Sequence, residues 1–245
     1  MTKLMITGAN GTIGIELVKH LKQNYDLVLA DIDFSDFPEE LKEGATIVEK
    51  DLSKVESWDH LLDDVEYVIQ LAGNPDAGAQ FYEGLLDLNY KLPQNLYGAA
   101  EKSDTVKRII FASSIHASDA YPDNVQVKTS EVPRPDDLYG VSKVFLEALA
   151  SYYAYKKGIE SIGIRIGDYK SPGEDVSPEA DFYSKGKFFT YRDMNHLIDC
   201  CLKAELVEEP YLLVNGISNN SFPRLDIDQA RVKLGYQPQD NAFES

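Results

Sequence analysis

The chain is poor in cysteine, tryptophan and basic side chains, and each shortage excludes something. There are two cysteines in 245 residues, and they are neighbours, Cys200 and Cys201. They lie in an apolar helical pattern with Leu197, Ile198 and Leu202, where adjacent side chains point in different directions, so a disulfide framework is excluded and buried free thiols are expected. Only 24 Lys and Arg stand against 41 Asp and Glu, a net charge of −17. Binding nucleic acid or an anionic membrane requires clustered cations, so neither is an expected partner. No run approaches the roughly 18 uninterrupted apolar residues of a membrane span. The N-terminus enters a strand pattern directly, without a basic segment and an apolar leader, which leads us to expect a soluble cytoplasmic protein. The four histidines, His20, His60, His116 and His196, show no i, i+4 pair and no partner cysteines at ligand spacing, so no metal site is expected. No Pro/Gly/Ser-rich connector, low-complexity run or internal repeat divides the chain. With 43% hydrophobic residues, it has enough apolar material for one domain over 1–245.

What is present is an alternation of strands and helices. Strands are predicted at about 3–7, 26–31, 45–50, 65–71, 107–113, 161–166 and 211–215. Helical patterns fall near 12–23, 54–63, 81–101, 140–157, 193–204 and 226–234. Pro93 interrupts the third of these and is expected to kink it. Such an alternation yields an α/β fold, a doubly wound parallel sheet of Rossmann type with helices on both faces and right-handed crossovers. Ligands then sit at the carboxyl ends of the strands. Gly8, Asp31, Asp51, Gly73, Ser114 and Asp168 all fall at or just after predicted strand ends, so one crevice should collect them. Residues 169–187, with Pro172, Gly173, Pro178 and Gly186, read as a long loop and a mobile cover over the substrate.

The first strand, Lys3–Thr7, runs into Gly8-Ala9-Asn10-Gly11-Thr12-Ile13-Gly14 and then into a helix. Three glycines at a strand-to-helix turn let the backbone approach a pyrophosphate, whose charge the helix N-terminus holds. The spacing is G-x-x-G-x-x-G, which differs from the G-x-G-x-x-G dinucleotide fingerprint. The second strand ends at Asp31, placed to grip an adenosine ribose diol, and Asp33 follows. The only cations between Gly8 and Asp31 are Lys19 and Lys22 within the helix. A 2′-phosphate would meet two carboxylates, which favours NAD over NADP.

Further along, Tyr139 and Lys143 are one helical turn apart, downstream of Ser114 at the end of the apolar run 108–113. An ammonium on the same helix face as a phenol stabilises the phenolate, the form that can act as a base. The chain carries its own control, since Tyr152 with Lys156 and Tyr153 with Lys157 repeat the spacing. No serine-bearing strand end matches them, and they are read as surface and packing residues.

Taken in order, Thr7-Gly8-x-x-Gly11-x-x-Gly14, Asp31, Asp51, Leu71-Ala72-Gly73, Asn89, Ser114, Tyr139 and Lys143 resemble the extended short-chain dehydrogenase/reductase family, the family of NAD-dependent epimerases and dehydratases. Within it the chain looks like bacterial uronate dehydrogenases, through Phe111-Ala112-Ser113-Ser114-x-His116, Pro133-Arg134-Pro135-Asp136-x-Leu138-Tyr139-Gly140-x-Ser142-Lys143, Ile164-Arg165-Ile166-Gly167 and Leu234-Gly235-Tyr236-Gln237-Pro238. The resemblance implies a fold of one Rossmann domain with a small C-terminal substrate-binding extension, substrate-covering segments at about 169–192 and 205–245, and NAD as cofactor. It implies that Gly8, Asn10, Gly11, Thr12, Ile13, Gly14, Asp31, Asp51, Leu52, Leu71, Ala72, Gly73, Asn89, Tyr139, Lys143 and Ile166 bind the dinucleotide. Tyr139 would take the hydroxyl proton, Lys143 would hold the phenolate and the nicotinamide ribose, Ser114 would orient the substrate oxygen, and Asn89 would support a water-linked proton path. Ser114, Ile115, His116 and Asp168 would face the substrate.

The implied activity is NAD-dependent oxidation of the C1 hydroxyl of a sugar or sugar acid to a lactone. Two departures bear on the substrate. Ile115 stands where uronate dehydrogenases typically carry Asn, and Asp168 where they carry Ser. No arginine occurs between Arg165 and Arg192 to clamp a carboxylate; Lys170, Lys185 and Lys187 lack its bidentate fork. A neutral sugar is therefore an open alternative. So are a nucleotide-sugar epimerase or dehydratase, which the short stretch after Asp168 disfavours, and a non-catalytic dinucleotide sensor, which would have no need of the Ser114, Tyr139 and Lys143 set. Phe145, Leu146, Leu149, Tyr152 and Tyr153 exceed what one core face needs, and relatives pair such helices, so a homodimer is expected.

Overall fold

The computed structural model describes residues 1–207 and 209–244. Its centre is a seven-stranded parallel sheet in which each strand is a short apolar run. In chain order these are β1 (Lys3–Thr7), β2 (Asp26–Asp31), β3 (Thr46–Glu49), β4 (Tyr67–Gln70), β5 (Arg108–Ser114), β6 (Glu160–Ile166) and, after two short strands described below, β9 (Tyr211–Gly216). The spatial order is β3-β2-β1-β4-β5-β6-β9. The chain winds outward from β1 in both directions, which leaves a crevice at the carboxyl ends of β1 and β4 where the order reverses.

Strand periodicity divides the core between the two faces. Leu4 and Ile6 of β1 and Ile110 of β5 join Leu17 and Leu21 of α1 (Thr12–Leu21) and Leu197 and Ile198 of α6 (Tyr191–Lys203). Met5, Ile109 and Phe111 point the other way, onto Leu96 and Tyr97 of α3 (Leu92–Ala100) and Leu146, Ala150 and Tyr153 of α4 (Leu138–Lys157). The central strands of the sheet are thus buried on both sides and carry apolar residues on both faces, while the edge strand β3 is mostly exposed.

Two buried arginines staple the layers. Arg108 binds Glu160 through Nε and Nη2, at 2.9 and 2.5 Å, and donates to the carbonyls of Cys201 and Ala204, so it closes the C-terminal end of α6. Arg165 makes a bidentate pair with Glu147 of α4, both bonds 2.8 Å, and Ser113 Oγ donates to the same carboxylate at 2.5 Å.

Several sequence expectations need correction. The helix at 54–63 is only a 3-10 turn, Val55–Trp58, because the chain leaves helical backbone at Asp59, with ψ 119°, and takes positive φ at His60; Trp58 and Leu62 still supply apolar contacts to the core. The segment at 81–101 is split, with a π-helical stretch at Phe81–Lys91 followed by α3. Pro93 sits in the first turn of α3, where no N–H partner is required, so it begins a helix. The supposed loop at 169–187 is anchored at both ends. β7 (Asp168–Lys170) pairs in parallel with β8 (Phe188–Thr190), and α5 (Phe182–Gly186) lies between them. Two further short helices, α2 (Glu39–Lys42) and α7 (Asp228–Leu234), complete the chain.

Cys201 is buried and Cys200 half-buried, both free, and burial pushes the Cys201 thiol far up. Of the five residues expected to face a second subunit, Leu146 and Tyr153 belong to the core and Tyr152 is exposed. Phe145 lies on Tyr90. No helix among the described residues is long and apolar enough to cross a membrane.

Removing one member of a buried pair strands the other's charge. Glu147→Ala should cost about 3–5 kcal/mol of stability in urea unfolding, and a loss under about 1 kcal/mol would show that the Arg165 pair does not hold α4 to the sheet.

Candidate active site

A cleft of about 640 Å³ opens at the carboxyl edge of the sheet. Its floor is the turn between β1 and α1. Gly14 lies in the first turn of α1, packed so tightly on the preceding loop that a Cβ there would fall 2.3 Å from the Gly8 carbonyl oxygen. A side chain would force that loop open, whereas glycine leaves the helix N-terminus bare toward the cleft. Gly8, Asn10, Gly11, Thr12, Ile13 and Gly14 all line it.

At one end of the cleft are Asp31, Asp33, Asp51 and Leu52. Asp31 Oδ2 accepts from Asn10 N at 2.9 Å, so the glycine turn fixes the carboxylate at the tip of β2. Asp51 is held below the usual carboxylate range, chiefly by the Ser53 hydroxyl and then by the Ser53 amide and the Lys54 charge. Lys50 also reaches this end; sequence reasoning missed it because it considered only cations before Asp31. Three carboxylates and a surface lysine around a glycine-floored groove fit an adenosine diol and a pyrophosphate on a helix N-terminus. The donor set therefore suits a dinucleotide.

The middle and far end are lined by Leu71, Ala72, Gly73, Asn74, Ala112, Ser114, Tyr139, Lys143, Ile166, Gly167 and Tyr169. Tyr139 and Lys143 occupy the first turns of α4, with Lys143 Nζ 5.4 Å from the Tyr139 ring centroid. The ammonium donates to the Ala112 carbonyl at 2.8 Å. Asp137 caps this helix by accepting from Gly140 N at 2.6 Å. Gly140 has the second close approach of the site, since a Cβ would stand 2.2 Å from the His116 carbonyl oxygen. That contact lets the 3-10 turn Ile115–Ala117 lie against the start of α4 and brings the His116 and Tyr139 rings edge to face at 5.4 Å. Ser114 Oγ accepts from His116 N at 3.2 Å. The repeated Tyr-x-x-x-Lys pairs lie elsewhere: Tyr153 stacks on Tyr97, and Lys157 pairs with Glu101. Tyr169 is the cleft's other tyrosine, and burial pushes its phenol well above the ordinary range.

Four expected residues do not line the cleft. Asn89 is buried behind it, its amide accepting from Asn74 N at 2.7 Å and donating to Asn74 O and to Ser142 Oγ. Ser142 in turn donates to the Tyr139 carbonyl at 2.6 Å. Asn89 therefore ties the loop after β4 to the turn bearing Tyr139. Ile115 is buried in the core. Asp168 pairs with Lys170 at 3.2 Å beside the cleft. His116 stands at the rim. Folding brings one ligand atom each of His116, Asp119 and Asp136 within 4.8 Å of one another, a grouping invisible in the sequence. His116 Nδ1 and Asp119 Oδ1 are already engaged by Asp137 and the Tyr183 hydroxyl. Asp137 itself was missed, although an aspartate just before a helical run is an N-cap signal.

A glycine-floored nucleotide groove that ends in a Ser, Tyr and Lys set defines the chain as a dinucleotide-dependent oxidoreductase of Rossmann type. Residues 4–207 match the NAD dependent epimerase/dehydratase family, and the chain belongs to that family. It is 33% identical to the NAD-dependent glucose-6-phosphate dehydrogenase of Haloferax volcanii, over 98% of this chain and 94% of that protein. It is 31% identical to the uronate dehydrogenase of Pseudomonas putida, over 98% and 85%. The crystal structure of a uronate dehydrogenase mutant from Agrobacterium tumefaciens complexed with NAD superimposes with a TM-score of 0.85 at 29% identity, covering 99% of this chain and 86% of that one.

Gly14→Ala introduces the 2.3 Å clash at the groove floor. With an overpacking strain of about 1–3 kcal/mol borne by the dinucleotide-bound turn, NAD binding should weaken by about 5- to 150-fold in calorimetric titration; unchanged affinity would mean that the turn does not hold the dinucleotide.

Proposed function

We propose that the protein is an NAD-dependent sugar dehydrogenase that oxidises the C1 hydroxyl of an aldose or sugar acid to a lactone. The observation that carries this is the meeting of Tyr139, Lys143 and Ser114 in the same cleft as the glycine turn and Asp31. Bound NAD supplies the two-electron acceptor. Tyr139 takes the hydroxyl proton, and Lys143 places a positive charge beside the oxygen that receives it. Ser114, held by the His116 amide, orients the substrate oxygen. Asn89 keeps the Tyr139 turn in register with the loop after β4.

The substrate side favours a neutral sugar over a uronate. Arg165 is engaged already by Glu147, Arg192 by Asp240, and Arg224 by the carbonyls of Tyr121, Pro122 and Val125, while Arg134 stacks on the Tyr121 ring at 4.3 Å. Lys170 is neutralised by Asp168, and Lys187 lies on the Tyr183 ring at 4.4 Å. Asp119, Asp136 and Asp137 surround His116, and an anionic sugar would meet their charge. The segments 169–192 and 205–245 form the substrate cover in this reading; Glu208 and Ser245 lie outside the described residues. The reading carries a cytoplasmic location, where the NAD pool is available. It also carries a homodimer formed through α4 and the neighbouring π-helical stretch, whose Tyr82, Val141 and Tyr152 are exposed.

NADH formation should appear with neutral aldoses and be weaker with uronates and sugar phosphates. Tyr139→Phe should lower kcat by about 10²–10⁴-fold with NAD binding retained, and an equally active variant would overturn the assignment. Sedimentation should give twice the chain mass, reduced to one by Tyr152→Glu; a monomeric parent protein would remove the dimer.

A further inference from the structure

Asp137 uses its two oxygens for different tasks. Oδ1 caps α4 through Gly140 N, while Oδ2 lies 2.7 Å from His116 Nδ1. A carboxylate can only accept, so in the neutral imidazole Nδ1 carries the proton and Nε2 is the bare nitrogen. Asp136, 3.9 Å from the same Nδ1, reinforces that choice. Nε2 has no hydrogen-bond partner among the described residues, and the side chain is 32% exposed. Its ring meets Tyr139 edge to face, and its backbone holds Ser114. The His116 ring, with its Nε2 unpartnered, therefore packs against the phenol ring at the rim of the cleft.

We propose that Asp137 determines substrate specificity by acting through His116. By fixing the tautomer it makes Nε2 the acceptor for a second sugar hydroxyl, next to the carbinol that gives its proton to Tyr139. The inference rests on the sugar-dehydrogenase reading and sharpens it. On a sugar oxidised at C1, the neighbours of the reacting carbon are C2, which bears a hydroxyl, and the ring oxygen, which has no proton to donate. An acceptor selects the first. The substrate class is thus aldoses with a free 2-hydroxyl, and Asp137 is a positioning residue that touches no substrate itself.

Two variants separate this role from helix capping. Asp137→Ser keeps a capping oxygen for Gly140 N but is too short to reach His116. Asp137→Asn has one oxygen; once that caps the helix, its NH₂ faces Nδ1, which must then accept, and the ring proton moves to Nε2. Nitrogen-15 NMR of histidine-labelled protein, assigned with His116→Gln, should show Nε2 unprotonated in the parent and Nδ1 unprotonated in Asp137→Asn. At about pH 8.5, above the ordinary histidine range, the parent should prefer an aldose over its 2-deoxy analogue by at least about tenfold in kcat/KM. That preference should fall to within about twofold in both variants, while Asp137→Ser keeps the parent's Tm. A preference that persists in both active variants, or a parent His116 protonated on Nε2, overturns the proposal alone. Failure of the parent to oxidise any sugar overturns the function on which it rests.

Discussion

The seating of α4 on the end of β5 is the constraint on which the site depends. Gly140, Lys143 and Glu147 share one face of the helix, and each meets the strand or its continuation by a different physical means. Gly140 removes a side chain so that backbone touches backbone at His116. Lys143 donates to the Ala112 carbonyl, and Glu147 gathers Ser113 and Arg165. Steric contact, a charge-assisted hydrogen bond and a buried ion pair thus fix the helix in rotation and translation. Tyr139, one residue before the first of these contacts, inherits its place from them.

A second set of contacts couples that helix to the nucleotide half of the cleft. Asn89 reaches from the π-helical stretch to Asn74 on one side and Ser142 on the other, and Ser142 continues to the Tyr139 carbonyl. The loop after β4 and the tyrosine turn therefore shift together or not at all. At the opposite edge, the Asp31 carboxylate is pinned by Asn10 of the glycine turn. Both ends of the groove are preorganised by the protein's own hydrogen bonds, which lowers the ordering cost of binding a long, flexible ligand.

Local signals made the sheet legible before any coordinates. Apolar runs bounded by turns marked its seven strands, and Gly8 to Gly14 declared a strand-to-helix turn through spacing alone. Where the reading failed, the deciding force was nonlocal. Residues 54–63 have helical periodicity, but their burial against α3 is achieved with extended backbone at Asp59 and positive φ at His60. Pairing of β7 with β8 depends on a contact between segments of three residues each, too short to show a period. Tyr139, Lys143 and Ser114 were readable because a helical turn and a strand end have fixed geometry. The His116–Asp137 bond and the Glu147–Arg165 pair were not, since each joins elements whose relative placement only the packed sheet determines.

The central claim is that one sugar oxygen can sit between Tyr139 and Ser114 while a dinucleotide lies along the glycine turn. A crystal structure of the protein with NAD and a non-reacting aldose analogue tests this most directly. The account predicts the Tyr139 and Ser114 oxygens both within about 2.6–3.2 Å of the C1 oxygen, with the adenosine ribose on Asp31. A sugar bound away from Tyr139, or a dinucleotide that leaves the Gly8 to Gly14 turn empty, would contradict it.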